Sequence, residues 1–542
     1  MISISEAGPA FLVNTTTRHA QSSPRVEALE GGRFVVVWRD DSLSADDPSG
    51  EALRGQVHEA DGTRVGPEFL VNTSTRNDQS QPAIAALPGG GFVVTWSDSS
   101  EGEDFFTELQ KIRLQVFDAA GGRIGPERAV DADAIIAQYG SAVAVLSDGR
   151  LLVSWSEIAD LIDGHGVLRA RILEADGTPA GAVLDVASTD THIQQFPALI
   201  AFGNGGFAIA WTDGRSGSAM QTHLRRFDAE ANPLGPEVNL SSGPGNEVRV
   251  SLVPLPAGTF AAIWETGWDS PGRGIVGQIF DAATGRQIRA EFQITPDGTA
   301  SPRFPRATAM EDGRILVTWS DQGIASEPAV PAGPRGRIFE MDGTPASDAF
   351  AIAPPGMGIP ANAPLGDGRF VVTWTDRTPA PDDSSGNSLF GYSVRAQVLA
   401  ADVPVAIEIA GPEDRLQRLA TGERMVVLPE GVVDVAEGIA VRAAEAGTRN
   451  VQLRVERVVL GDDAVRLKST ATGTGLPPGS HRVTVGPDGR IEGRDGNGIA
   501  LFGSDLRVVN EGVITGSGRG ITTPLVGQIE VINAGVISGG IE

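Results

Sequence analysis

A chain of 542 residues with 69 glycines, 35 prolines and only 6% aromatics carries too much turn-forming content for a mostly helical protein, and at 41% apolar it is too apolar for a disordered one. Its net charge of −26, from 69 acidic against 43 basic side chains, excludes nucleic acid as a partner, because phosphate binding needs clustered Lys and Arg. The absence of cysteine excludes disulfides and thiolate metal sites, and no apolar run is long enough for membrane insertion.

The first residues, Met1 to Glu6, lack the basic and apolar regions of a cleaved secretory signal, so export is expected by another route. From there to residue 400 one pattern repeats. Trp38, Trp96, Trp155, Trp211, Trp264, Trp319 and Trp374 recur every 53 to 59 residues, each closing an apolar run such as Phe34-Val-Val-Val-Trp38 or Phe370-Val-Val-Thr-Trp374. A strand apolar on both faces must be buried on both, as in sheets stacked face to face. Three further strand signals surround each run. They are a small-residue run before it (Pro82 to Leu87), a run after it (Leu114 to Phe117) and a closing strand (Pro67 to Asn72), all joined by Gly-rich turns. Four antiparallel strands repeated at this period predict a β-propeller blade, because one blade cannot bury its two faces alone. The seventh unit ends at Leu399 without a closing strand, while the chain begins with an orphan copy, Gly8 to Asn14, which is expected to complete it.

Segments such as FLVNTSTRNDQSQPAIAALPGGGFVVTW resemble the repeats of large secreted bacterial proteins of the RTX, or haemolysin-type calcium-binding, class over roughly residues 5 to 400. The resemblance implies extracellular or cell-surface placement, by type I secretion. The class's calcium-binding Gly- and Asp-rich nonapeptides are not repeated here; Gly493 to Gly498 is one imperfect copy.

Residues 401–425 are expected to be a linker holding a short capping helix over Gly411 to Ala420, with Pro412 in its first turn and Leu416 and Leu419 three apart. Over 426–542 the period shortens. Segments starting at Arg482, Asp505 and Gln528 align at a spacing of 23, with Asn510 and Asn533 at the same corner. Short Val- and Ile-rich runs between Gly and Asn corners predict a short parallel β-helix of about five turns, resembling pectate-lyase-like and autotransporter repeats. Its last turn stops mid-rung at Glu542, which predicts a longer natural chain or self-association through an open end.

No catalytic motif is found, and the histidines (His19, His58, His165, His192, His223 and His481) show no ligand spacing. Two sets of carboxylates stand out. Asp40, Asp98, Glu157, Asp213, Glu265, Asp321 and Asp376 follow the seven tryptophans by one or two residues, and are expected to form an acidic ring on one ligand-binding rim. Asp46, Asp47 and Glu51 in one loop, and Asp382 and Asp383 in another, supply oxygens of the kind calcium takes. The expected whole is an all-β protein, a seven-bladed β-propeller followed by a parallel β-helix. Its expected function is a secreted or surface interaction or adhesion module that binds a glycan or protein, with the β-helix as a rigid stalk. The alternatives are an extracellular polysaccharide-degrading glycosidase or lyase, and a self-assembling structural subunit.

Overall fold

The computed structural model describes residues 2 and 4–401, apart from the segments 103–109, 161–164, 189–192, 215–218, 241–245, 268–273, 297–300, 322–332, 355–357, 367 and 377–391; beyond residue 401 it describes strand backbones. The described residues form strands and two short 3-10 turns, with no α-helix. The chain divides into two compact units, Met1–Asp402 and Val403–Glu542.

In the first unit every repeat tryptophan lies on the second strand of a four-stranded antiparallel sheet. The first sheet runs Gln21–Ala28, Phe34–Asp40, Ala52–His58 and Arg64–Leu70 in sequence order. The pattern recurs around Phe92–Asp98, Leu151–Asp160, Phe207–Gly214, Thr259–Thr266 and Ile315–Asp321, and one parallel bridge, Gly166 to Ile193, joins the third and fourth sheets. The seventh sheet contains Ala361–Gly366, Arg369–Asp376 and Ser393–Ala401, and takes its outer strands from the other end of the chain. Ile4–Glu6 and Phe11–Leu12 pair antiparallel with Ser393–Ala401, setting Phe11 opposite Ala396 and Leu12 opposite Arg395.

The doubly apolar strands are buried because alternate residues serve different joints. Phe34, Val36 and Trp38 pack with Val371 and Ala396 of the seventh sheet, whereas Val35 and Val37 pack with Phe92, Val94 and Trp96 of the second. Among the described residues there are seven such clusters, one for each pair of successive sheets, and each contains the tryptophan of the later sheet. The innermost strands touch in the same order, and Ala361–Gly366 touches Gln21–Ala28, so the stack closes on itself as a β-propeller. The outer edge is keyed by glycine. Gly62, Gly121 and Gly343 turn at φ 88°, 87° and 77°, and a Cβ on each would lie 2.6 Å from the ring of Phe11, Phe69 or Phe292 on the preceding sheet's outer strand.

The innermost strands share an irregularity. In six of them the register shifts, and the bulged residue sits in the left-handed region: Ser23, Gln81, Gly140, Phe196, Arg249 and Phe304, at φ 54° to 64°. Proline follows in four, as Pro24, Pro82, Pro197 and Pro305. Proline is tolerated there because the interrupted ladder needs no N–H. The bulge N–H is taken by the residue after the preceding sheet's tryptophan. Ser23 N donates to Thr375 Oγ1 and Arg249 N to Thr212 Oγ1, both at 3.2 Å; Gly140 N donates to Ser97 Oγ at 3.2 Å, and Phe304 N to Glu265 Oε1 at 2.7 Å.

In the second unit three parallel stacks follow one another. Asn450–Val455, Ser480–Val485, Asp505–Asn510 and Ile529–Asn533 form the first; Val458–Gly461, Arg490–Gly493, Val513–Gly516 and Val536–Ser538 the second; Val465–Lys468, Ile499–Phe502 and Ile521–Leu525 the third. Asn510 lies opposite Asn533. Two expectations are corrected. The gapless spacing of 23 holds for Arg490 against Val513, but Ser480 pairs with Asp505, two residues further. The expected capping helix is absent, since Arg415–Arg418 is a strand paired antiparallel with Arg424–Leu428. Its Arg-Leu-Gln-Arg alternation has the period of a strand, and pairing outweighs the helical spacing of two leucines.

Candidate functional site

The carboxylates that follow the tryptophans do not make an open acidic rim. Asp40, Asp98, Glu157, Asp213, Glu265 and Asp321 are buried, and Asp376 is partly so. The cause is the register: the third-strand residue opposite the tryptophan is Arg54, Arg113, Arg169, Arg335 or Arg395 in five sheets. Each guanidinium reaches the carboxylate two residues past the tryptophan: Arg54 to Asp40 at 2.7 Å, Arg113 to Asp98 at 2.6 Å, Arg169 to Glu157 at 3.2 Å, Arg335 to Asp321 at 3.3 Å and Arg395 to Asp376 at 2.6 Å. Gln21, Gln79 and Gln138 of the innermost strands donate to Asp40, Asp98 and Glu157. In the fourth sheet His223 stands opposite Trp211, and Trp211 Nε1 donates to Asp213 at 3.5 Å. Burial raises the Asp98 carboxyl although Ser100 and Arg113 oppose it.

Glu265 is one residue out of step because its work differs. Val276 occupies the arginine position in its sheet, so Glu265 turns inward, accepts the Phe304 N–H and pairs with Arg249 at 3.3 Å.

The described half of the calcium expectation does not converge on an ion. Asp46 pairs with Arg54 at 2.6 Å, Asp47 accepts Asn72 Nδ2 at 2.8 Å, and Glu51 pairs with Arg39 at 3.0 Å. Burial raises Asp47 and Glu51, while Ser44 and Arg54 hold Asp46 low against its own burial. Among the described residues no three carboxylates or histidines could share a metal; Asp382 and Asp383 lie outside them.

The arrangement that can meet a ligand lies on the inner edge of the ring. Phe196, Arg249 and Phe304 are the bulge residues of three successive sheets. The Arg249 guanidinium carbon lies 5.0 Å from the Phe196 ring centre and 4.7 Å from that of Phe304, a cation held between two aromatic faces. Phe196 keeps 41% of its surface exposed. Glu27, on the innermost strand of the first sheet, is pushed up to about 7 by burial, although the Ala86 N–H that it accepts opposes the shift.

Three features escape a reading of sequence. Glu68 of the closing strand accepts Thr15 N at 2.6 Å, Thr15 Oγ1 at 2.8 Å and Thr16 Oγ1 at 2.7 Å from the preceding joint; Glu127 does the same for Thr73 and Ser74, and Glu237 accepts Ser188 N. The repeated Gly-Pro-Glu was the available signal. In the seventh sheet this position is Ala10, and Pro354 stands in the place of Thr15 and Thr73; beside them a cavity of about 520 Å³ opens, lined also by Arg335, Trp374 and Gln397. Two histidines also occupy repeat positions. His223 stands where arginine is usual, and His58 where four other sheets carry Phe117, Phe227, Phe280 and Phe339 and two carry Leu173 and Leu399.

No family profile matches this chain, and no curated protein is significantly similar to it. Among solved structures, a protein of unknown function from Dyadobacter fermentans is 13% identical with a TM-score of 0.45, covering 73% of this chain and 99% of that one. Penicillium chrysogenum α-L-arabinanase complexed with arabinobiose is 13% identical with a TM-score of 0.41, covering 73% and 98%. The Hadza microbial sialidase Hz136 is 11% identical with a TM-score of 0.40, covering 64% and 73%.

Proposed function

We propose that this chain is a secreted or cell-surface glycan-recognition protein, a seven-bladed propeller that binds saccharide at its inner mouth, followed by a parallel β-helix as a rigid stalk. The observation that carries the reading is the Phe196–Arg249–Phe304 group. Three adjacent strands adopt a left-handed bulge with bulky residues, a conformation of low intrinsic favour, and each presents its side chain at one place. Aromatic faces beside a fixed cation suit a sugar ring, with apolar C–H faces and hydroxyl rims. Screening immobilised glycans with the wild type and with Phe196→Ala/Phe304→Ala tests it. Binding should weaken about tenfold or more in the variant; a wild type that retains no glycan overturns the reading.

A second reading, an extracellular polysaccharide-degrading enzyme, is favoured by Glu27. A carboxyl held near 7 is poised to act as a general acid at neutral pH. It requires new reducing ends from a polysaccharide substrate, lost in Glu27→Gln; binding without products leaves the recognition reading alone.

A further inference from the structure

The joint between the sixth and seventh sheets lacks the plug that closes its sister joints. In those, a carboxylate of the closing strand does two things. Glu68 and Glu127 hold the N–H and hydroxyl groups of Thr15 and Thr73, and each also stands beside the arginine opposite its own sheet's tryptophan: Arg54 Nη1 lies 3.5 Å from Glu68, and Arg113 Nη1 3.3 Å from Glu127. The third and fourth sheets keep the second contact, with Asp185 paired to Arg169 and Glu237 3.8 Å from His223. In the seventh sheet both halves are gone. Ala10 takes the place of the carboxylate, and Pro354 has neither an N–H nor a hydroxyl to be held. The sixth sheet also has alanine there, Ala349, and the cavity of about 520 Å³ lies between these two sheets. The arginine of the seventh sheet is nevertheless kept. Arg395, opposite Trp374, pairs with Asp376 at 2.6 Å, and 36% of its side chain is exposed, against 7% for Arg54 and 16% for Arg113.

We propose that this cavity binds a small organic carboxylate with an apolar body, its carboxylate standing on Arg395 where the sister sheets place a carboxylate of their own. The volume falls within the range of about 300–1,000 Å³ that small-molecule sites occupy. Trp374, Ile352, Pro9 and Pro354 supply apolar walls, and Trp374 is the repeat tryptophan that is not wholly buried. Gln397, also in the lining, is two residues from Arg395 on one strand and therefore on the same face of the sheet. A guanidinium suits the ligand because its planar fork of donors matches a carboxylate. Arg335, held by Asp321 at 3.3 Å, adds a second cationic residue from the sixth sheet. Glu6 is the one carboxylate in the lining, and it is exposed, so solvent and salt screen its repulsion.

The test titrates phenylacetate, 4-methylpentanoate, phenylacetamide and acetate into the full chain by calorimetry at matched ionic strength. Phenylacetate or 4-methylpentanoate should bind the wild type about tenfold or more tighter than phenylacetamide, which keeps the ring without the charge, and than acetate, which keeps the charge without the body. Ala10→Glu returns the carboxylate of the sister sheets. It should abolish binding of both acids and raise the ligand-free melting temperature, because the site then holds its own anion. Arg395→Gln should erase the preference for phenylacetate over phenylacetamide while leaving phenylacetamide as it was. The inference draws nothing from the glycan reading, so Phe196→Ala/Phe304→Ala should bind the acids as the wild type does. Failure of both acids to bind the wild type, equal affinity for phenylacetate and its amide, or Ala10→Glu that still binds them overturns the inference; the wild-type titrations decide it even if a variant does not fold.

Discussion

Arg113 shows what the buried charges do. It reaches Asp98 at 2.6 Å, Glu101 at 2.8 Å and Glu127 at 3.3 Å, joining two strands and a loop of one sheet. Asp98 is buried and already raised by that burial, so losing its cation leaves an uncompensated charge. Arg113→Ala is expected to destabilise by about 3–5 kcal/mol, and the Arg113→Leu/Asp98→Leu pair by much less, measured as a double-mutant cycle in urea. A double-variant loss equal to the sum of the two single-variant losses would show that the pair is not coupled. His58 is stacked on Phe34 with ring centres 5.1 Å apart, and burial lowers it from 6.5 to about 4. The folded state therefore refuses a proton that the unfolded chain accepts. The stability is complete above about 6.5 and is lost as pH falls toward 4. His58→Phe, which installs the residue of the sister sheets, should remove that acid-side loss, read as melting temperature against pH; an unaltered slope refutes it. Glu27 acts in the opposite direction. Its carboxyl rises from 4.5 to about 7, so its neutral form stabilises at low pH and that contribution is lost as pH rises through 7.

Among the strands, the closing pair and the bulges are the elements on which the ring depends. Phe11–Leu12 completes the seventh sheet, and Phe11 fills the space left by Gly62 on the first sheet. Deleting residues 1–15 removes both the outer strands and Val13, a fully buried member of the joint between seventh and first sheets. The expected result is loss of cooperative folding of the first unit, seen by calorimetry; an unchanged transition would show that the ring closes without them. Gly62→Ala should weaken the same joint, because a Cβ would lie 2.6 Å from the Phe11 ring and the backbone sits at φ 88°. Ser97→Ala strands the Gly140 N–H and should cost about 1–3 kcal/mol in the urea midpoint. The four prolines after the bulges were visible in the sequence, but which residue they would press into the left-handed region was not, because that follows from where the ladder to the neighbouring strand breaks.

For the molecule as a whole, the closed ring makes the seven joints interdependent, since opening any one exposes two apolar faces. The first unit is therefore expected to melt in one transition and the second unit in its own, with the deletion of residues 1–15 altering only the first. A single transition abolished by that deletion would contradict the division into two units. The tryptophan repeat, the strands around it and the all-β class were legible in sequence because they depend on local alternation and turn chemistry, which survive without knowledge of neighbours. The acidic series was legible as a pattern and misleading as a site. Its partners follow the tryptophans at different separations, from Trp155 to Arg169 and from Trp374 to Arg395, so the ion pairs show no constant spacing. Period and hairpin order are properties of the chain alone. Pairing of Asp98 with Arg113 exists only once two strands of one sheet pair in register, and the meeting of Phe196, Arg249 and Phe304 only once sheets stand side by side. The reason is that burial and charge act through distances in space, and in a ring the residues that meet at the centre are far apart along the chain.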